Sequence, residues 1–537
     1  MKPITAYFLP FFYSAALLAE PIAEISLAQE DFVKGELRLL NNQDNSARLS
    51  IQFPDQTQRV LLEHVYDKQE FMFTSPSQGM GKFILEGEKQ PLRKQDATLQ
   101  ILQHFPIQQQ TSPLVYENQR LQQLHLALTK LSQNAPHFAS LATPPAELSQ
   151  SVATLLDTFW AEMEKQGTPL IEPIDDQFSR VTFLWRGAKH NVRIFGGPSQ
   201  DHDFMEKMPG TDIWFKSYRV PNETHVSYRL APDVPTLPVS AVEQRRAILA
   251  TAQADPFNRY PYFPAAQQPL HPLDKFHYAS QLILPNAPTQ RYLTPTAREK
   301  GQLTTFIFES QLLANKRRVF VYTPAHFQPQ NAYPVLYVFD GVEYTEQVPV
   351  PTILDNMIAE KVIPPVVAVF IENPSMQTRA QELPPNPKFA QAITQELLPF
   401  VEKQIPLQVK QRIIAGSSYG GLASAYLSLH SPQLFQRALI LSGSFWWHPK
   451  GTPSSESHFI AHQFAQREKL PLCFFISAGY FERGRSEILQ TSRHLKDVLM
   501  AKGYQVDYRE YATAHGYLAW QGIISEGLTS LLTDCKN

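Results

Sequence analysis

The run Gly416-Ser417-Ser418-Tyr419-Gly420-Gly421 holds the residues best suited to covalent chemistry in this 537-residue chain. It has the Gly-x-Ser-x-Gly spacing, in which small neighbours let a serine sit on a strained turn with its oxygen exposed above a sheet. Ile413-Ile414-Ala415 before it reads as a strand and Leu422–Leu429 after it as a helix. That context points to Ser418 as a nucleophile, and a phosphate-binding loop would need a lysine that is missing here. A serine hydroxyl stays weak until an oriented base takes its proton. His515 suits that role, because it lies in the loop after the strand-like Tyr508–Tyr511. His430 and His494 fall in helical stretches, and His448, His458 and His462 in a polar insertion. The i, i+4 pair His458/His462 has no companion ligand nearby, so no metal site is expected.

The acid that orients the histidine should come from the loop after the penultimate strand, in the chain order serine, acid, histidine. Leu472–Ala478 reads as that strand, which makes Glu482 the first choice, Glu487 the second and Asp507 the third. An ion pair with Arg483 or Arg485 is the competing role for Glu482. Two donors must also face the developing oxyanion. One is the amide of Tyr419, next to the nucleophile. The other belongs to the loop after Val335–Phe339, where Gly341 lets backbone approach a substrate and Val342 stands in reserve.

These residues need a scaffold, and from about residue 297 onward strands alternate with helices. Arg318–Tyr322, Tyr333–Phe339, Val366–Ile371, Gln411–Gly416, Ala438–Ser442 and Leu472–Ala478 read as strands, with Thr352–Glu360, Phe389–Gln404 and Ser486–Lys502 as helices. This predicts a parallel α/β sheet covered on both faces. Upstream, period-two alternation between about Glu30 and Gln110 predicts a small β-sandwich, and a second one follows over Phe178–Pro232. Helical periodicity at Leu121, Leu124, Leu128 and Leu131, then at Val152, Leu155, Leu156 and Phe159, marks a connector between them. The Pro- and Tyr-rich stretch 255–296 reads as an ordered linker. The expected divisions are a leader over 1–23, a sandwich over 24–112, the connector over 113–166, a sandwich over 167–285 and the α/β domain over 286–537.

Charged residues make up 18% of the chain and apolar ones 43%, enough to bury cores and too apolar for disorder. A net charge of −2 offers no basic surface for nucleic acid. Two cysteines, Cys473 and Cys535, exclude a disulfide framework and form one bridge at most; the expectation is that Cys473 is a buried free thiol in its apolar run. Met1-Lys2, an uncharged stretch to Ala19 and small residues up to Ala23 have the layout of a secretory leader. No other stretch is apolar enough to insert stably in a membrane.

The C-terminal part resembles the esterase D-like branch of α/β-hydrolases, and specifically the enterochelin (enterobactin) esterases. The resemblance rests on Arg318–Pro324, Val338–Gly341, Arg379 with Glu382, Leu383 and Asn386, Glu396–Pro399, Gly416–Gly421, Ser442–Trp447, and Ala478-Gly479 with Glu482. Upstream, Val181–Arg186, Thr211–Trp214 and Asp255–Asn258 resemble that family's N-terminal sandwich. It covers about residues 165 to 537. It implies an α/β-hydrolase domain preceded by one β-sandwich. The further sandwich and the helical connector before residue 165, read from periodicity, lie outside the usual two-domain layout of that family. The expected fold is therefore an α/β-hydrolase C-terminal domain preceded by two β-sandwich-like domains and a helical connector. The resemblance also implies hydrolysis of a catecholate trilactone, iron-loaded or iron-free, through an acyl-enzyme on Ser418 with Glu482 and His515 and no cofactor. Arg379 would face an anionic substrate, or else be a solvated loop charge. Trp446 and Trp447 would stack on catechol rings, or else pack as core aromatics. With the leader, the expected location is periplasmic or secreted. Competing readings are an esterase for feruloyl or other carbohydrate-linked acyl esters or short peptides, and a binding protein whose hydrolase domain is inactive.

Overall fold

The computed structural model describes residues 21–40, 46–87, 90–108, 115–133, 146–199, 202–237, 240–263, 275–453, 456–484 and 486–535. The expected leader lies outside the described residues as far as position 20, and Pro21–Ala23 already belong to a strand. The chain forms two compact bodies, one up to Pro106 and one from Ile107.

The first body holds β1 (Pro21–Leu27), β2 (Phe32–Leu39), β3 (Ala47–Gln52), β4 (Gln58–Val65), β5 (Lys68–Thr74), β6 (Gly79–Gly87) and β7 (Ala97–Phe105). They make two antiparallel sheets, β1-β6-β3-β4 and β5-β2-β7. Alternate residues of both, among them Leu37, Ile51, Phe73 and Phe83, share one buried cluster. That is the sandwich expected of period-two sequences with one wet face.

The second body opens with α1 (Gln119–Gln133) and α2 (Ala146–Gln166). Then come β8 (Leu170–Pro173), β9 (Phe178–Arg186), β10 (Val192–Gly196), β11 (Glu206–Lys207), β12 (Ile213–Pro221), β13 (His225–Pro232), α3 (Ala241–Thr251), β14 (Pro261–Tyr262) and β15 (Ala279–Ile283). The sheets β10-β13-β15-β14 and β11-β12-β9-β8 close over Phe183, Ile194, Trp214 and Val226. The two helices cover the outer face of the second sheet through Leu121, Leu124, Phe159 and Trp160. The stretch read as a linker therefore supplies two strands. Its prolines hide the short alternation of Ala279–Ile283, whose Ser280 and Leu282 are buried.

The remaining strands are β16 (Gln302–Ser310), β17 (Asn315–Thr323), β18 (Ala332–Phe339), β19 (Val367–Ile371), β20 (Gln408–Ser417), β21 (Arg437–Leu441), β22 (Cys473–Gly479) and β23 (Gln505–Tyr511). They form one sheet in the order β16-β17-β19-β18-β20-β21-β22-β23. β18 to β23 run parallel, and the β16–β17 hairpin joins antiparallel at β19. Every residue of β19, β21 and β22 is buried, because helices cover both faces. Val335, Tyr337 and Phe339 point into one core and Leu336 and Val338 into the other.

The helices are α4 (Glu343–Glu346), α5 (Val350–Ala359), α6 (Met376–Glu382), α7 (Pro387–Gln391), α8 (Leu398–Gln404), α9 (Tyr419–His430), α10 (Phe459–Gln466), α11 (Ile488–Ala501) and α12 (Tyr517–Thr529). The single helix expected over Phe389–Gln404 is interrupted by a π turn at Ala392–Leu397. Pro399 lacks the N–H that would reach back four residues, and the backbone widens ahead of it. The widened turn sends Glu396 to the hairpin, where it accepts from Ser310 Oγ at 2.5 Å and Leu312 N at 3.0 Å.

The cysteines correct a second expectation: Cys473 is buried but paired with Cys535, their Cα atoms 6.4 Å apart. Arg437 donates to the carbonyls of Leu531 and Cys535 and draws the C-terminal turn back over β21 and β22. A link across 62 residues removes about 4 kcal/mol of unfolded-chain entropy. Cys535→Ser should lower stability by about 2–4 kcal/mol in urea unfolding. Its turnover per folded molecule should stay at wild type, since Cys473 begins β22 and the site lies at the other end.

Candidate active site

The carboxyl ends of the parallel strands gather the chemistry-bearing residues, as they do in open parallel sheets generally. β20 runs into α9 through Ser418, whose φ of 56° and ψ of −120° cost a non-glycine residue strain. The neighbours explain how the turn is held. A Cβ on Gly416 would lie 2.5 Å from the Gly420 carbonyl carbon, and one on Gly421 3.0–3.1 Å from Ile440 and Gly443. Ser418 N–H donates to Leu441 O at 3.0 Å. The first amides of α9, Tyr419 N–H among them, have no intrahelical acceptor and carry the positive end of the helix dipole.

His515 lies between β23 and α12, with Nδ1 2.5 Å from Glu482 Oε1. Glu482 has a side chain only 1% exposed, and its other oxygen accepts from Gly479 N–H at 2.5 Å. A buried carboxylate bonded this way draws the imidazole proton to Nδ1 and leaves Nε2 as the basic atom. The ring stands edge-on to Trp520, centroids 4.9 Å apart, and Trp520 Nε1 donates to Ser442 Oγ at 3.1 Å. Ser442 follows the last residue of β21, two residues before Ser444, whose Oγ is 3.3 Å from Ser418 Oγ. Nucleophile and histidine thus both follow the carboxyl ends of parallel strands, and in this structure the serine hydroxyl is engaged by Ser444. The other acids are elsewhere: Glu487 begins α11, and Asp507 pairs with Arg509 at 2.9 Å. Arg483 stacks over Tyr480 at 3.6 Å and does not compete for Glu482; Arg485 lies outside the described residues.

The loop after β18 does not present the amide expected of it. Gly341 N–H is spent on Ile371 O at 2.9 Å, and glycine is required because a Cβ there would lie 2.8 Å from the Phe370–Ile371 backbone. Close packing against β19, rather than approach to a substrate, explains this glycine. Val342 N–H, the reserve, has no hydrogen-bond acceptor among the described residues.

Arg379 is also corrected, being neither an open cation nor a solvated charge. Its Nε and Nη2 donate to the two oxygens of buried Asp340 at 2.6 and 2.9 Å, and Asn373 donates to Asp340 at 2.5 Å. A bidentate pair of this kind fixes geometry as well as charge, and it pins Asp340, whose φ is 58°, at the start of the loop that carries Gly341 and Val342. The two tryptophans divide. Trp446 is 37% exposed with its ring 5.9 Å from that of Tyr419. Trp447 packs edge-on against Phe459 at 5.6 Å and belongs to the core.

Residue types alone missed Asp340, Ser444 and Glu343. For Asp340 the available signal was a carboxylate ending the otherwise apolar run Val335–Phe339. Burial first, then the Asp340 carboxylate, push Glu343 up to about 7, with Arg379 pulling the other way. Below the ordinary value of 4.5 both folded and unfolded chains hold this proton. Between there and about 7 only the folded chain does, so stability falls as pH rises across that window. Glu343→Gln should remove this dependence and raise stability at pH 8 by about 1–3 kcal/mol, measured by urea unfolding at pH 5 and pH 8.

Among the described residues no group of three or more His, Cys, Asp or Glu side chains could hold a metal ion, and no helix is long and apolar enough to cross a membrane. A groove of 1020 Å³ bordered by Tyr322, Tyr333, Asp355 and Lys410 opens at the amino ends of β18 and β20, away from Ser418.

A strained serine at a strand-to-helix turn, with a carboxylate-bound histidine after the last parallel strand, defines a serine hydrolase of the α/β class. Comparison with known proteins narrows this. The Esterase family model matches residues 310–531, and the model for the enterochelin esterase N-terminal domain matches residues 180–293. The chain is 31% identical over 447 residues to the iron(III) enterobactin esterase of Dickeya dadantii, spanning 73% of this chain and 98% of that one. It is 26% identical over 399 residues to the iron(III) enterobactin esterase of Escherichia coli K12, spanning 70% and 96%. Among solved structures, the ferric enterobactin esterase of Salmonella typhimurium superposes with a TM-score of 0.57 at 26% identity, over 70% of this chain and 98% of that one. The Shigella flexneri enterobactin esterase solved in the presence of enterobactin gives 0.54 at 25% identity, over 70% and 97%. The chain belongs to the enterobactin (enterochelin) esterase family and is a carboxylic ester hydrolase.

Proposed function

We propose that this chain opens the ester bonds of a catecholate trilactone siderophore, with Ser418 as nucleophile, His515 as base and Glu482 as the acid that orients it. The observation that carries the reading is the 2.5 Å bond between His515 Nδ1 and buried Glu482, at the same carboxyl end of the parallel strands as the strained serine and in a chain of this family. The Ser418 proton passes to His515 Nε2 as Oγ bonds to the ester carbon, and the oxyanion meets the amides of Tyr419 and Val342. The carbon–oxygen bond then breaks, and the leaving alcohol takes the proton from His515. Water repeats the sequence on the acyl-enzyme, returning Ser418 and releasing the carboxylate. Trp446, exposed beside Tyr419, offers an aromatic face for a catechol ring.

Incubation with iron-loaded and iron-free catecholate trilactone, followed by mass spectrometry, should give the linear trimer, one water heavier than the ring, and then dimer and monomer whose summed mass gains one further water per ester cleaved. Intact trilactone beside a hydrolysed feruloyl sugar ester would move the substrate to the second class. We also infer that the protein works outside the cytoplasm. The leader-like start and the Cys473–Cys535 pair support this, since disulfides persist in oxidising compartments. Cell fractionation that finds the native protein in the cytosol would overturn the location.

A further inference from the structure

The nucleophile and the acid–base pair are held by different parts of the second body. Ser418 is fixed from within the α/β sheet, by Leu441, Ser444 and its own helix. The loops carrying Glu482 and His515 lean on the β-sandwich of β8–β15. Phe481, next to Glu482, is 7% exposed and is a member of the sandwich core with Phe183, Trp214, Val226 and Leu284. Ala514, next to His515, packs against the same cluster. The chain two and three residues before His515 is bonded to the start of β13: His225 N–H donates to the backbone carbonyl of Ala512 at 3.1 Å, and the Thr513 side-chain hydroxyl donates to His225 O at 2.8 Å.

The two loops are also tied to each other. Phe481 N–H donates to Thr513 O at 3.1 Å, and a Cβ on Gly479 would lie 2.5 Å from that carbonyl. Beyond His515, Gln290, in the segment following β15, donates to Leu518 O and accepts from Gln521 Nε2, both at 2.6 Å. The base is thus bracketed on both sides by the sandwich and the segment that follows it, and the acid is held against the sandwich through Phe481.

We propose that the β-sandwich sets the position of the catalytic base, and that Thr513 is the positioning residue through which it does so. The proposal rests on the assignment of Ser418, Glu482 and His515 above. Displacing a general base by about 1 Å lowers turnover by up to a hundredfold, and Thr513 is 7% exposed with its hydroxyl committed to the sandwich. Thr513→Val keeps the volume and removes that bond; Thr513→Ser keeps the bond.

The test follows turnover of a small aryl ester together with labelling by a fluorophosphonate. Wild type should label at Ser418 with one equivalent; failure there would sink the catalytic assignment itself. Thr513→Val should label to the same completeness but about tenfold more slowly, with kcat down by the same factor and KM unchanged. Complete labelling separates slow chemistry from a misfolded fraction. Thr513→Ser should recover most of both rates. Wild-type rates in Thr513→Val, or equal loss in the valine and serine variants, would overturn the positioning role while leaving the triad intact.

Discussion

Ser418→Ala should lower kcat/KM for an aryl ester by at least about 10⁴-fold, since removing a serine nucleophile eliminates the acyl-enzyme route altogether. The expected residue of activity is what the oxyanion donors alone sustain. The substitution should leave the fold in place. The hydroxyl makes one bond, to Ser444 Oγ at 3.3 Å, while the turn is held by backbone bonds and by the close approach of Gly416 to Gly420. Alanine tolerates a φ of 56° about as poorly as serine does, so the strain is common to both. Thermal unfolding within a few degrees of wild type, beside lost turnover, is the expected pair of results. A variant that still hydrolyses the ester at a tenth of the wild-type rate would remove Ser418 from the mechanism.

The parts of this site legible in the sequence were those that depend on local rules. A serine between small residues at a strand-to-helix turn is a local pattern, as is a histidine after the last strand and an acid after the one before it. The sheet was legible because its strands, buried on both faces, read as continuous apolar runs. What stayed hidden depended on partners far away in the chain. Gly341 offered the right freedom for an oxyanion loop, yet its amide is used by Ile371, thirty residues on. Arg379 carries a charge suited to an anionic substrate, but buried Asp340 claims it first. Trp446 and Trp447 are adjacent and identical in type, and only packing against Phe459 separates them. Cys473 lies in an apolar run that suits a lone thiol, and its pairing follows from Arg437 drawing back the chain terminus.

Glu482→Gln should cost about 10³- to 10⁴-fold in kcat with little change in KM, through the histidine tautomer rather than through lost packing. The glutamine is the same size and can keep its carbonyl oxygen toward Gly479 N–H, so the buried pocket stays filled. Its amide then faces His515 Nδ1 as a donor, which drives the imidazole proton to Nε2. An imidazole in that state cannot accept the Ser418 proton, although ring and serine have not moved. Fluorophosphonate labelling should slow by a similar factor, because it needs the same proton transfer. Glu487→Gln supplies the comparison: Glu487 opens α11, where its backbone carbonyl accepts from Thr491 Oγ1 at 2.9 Å, and its variant should retain wild-type rates. If the losses were reversed between the two glutamines, the acid of the triad would be Glu487, and the bond at 2.5 Å to His515 would be a resting contact that the working enzyme abandons.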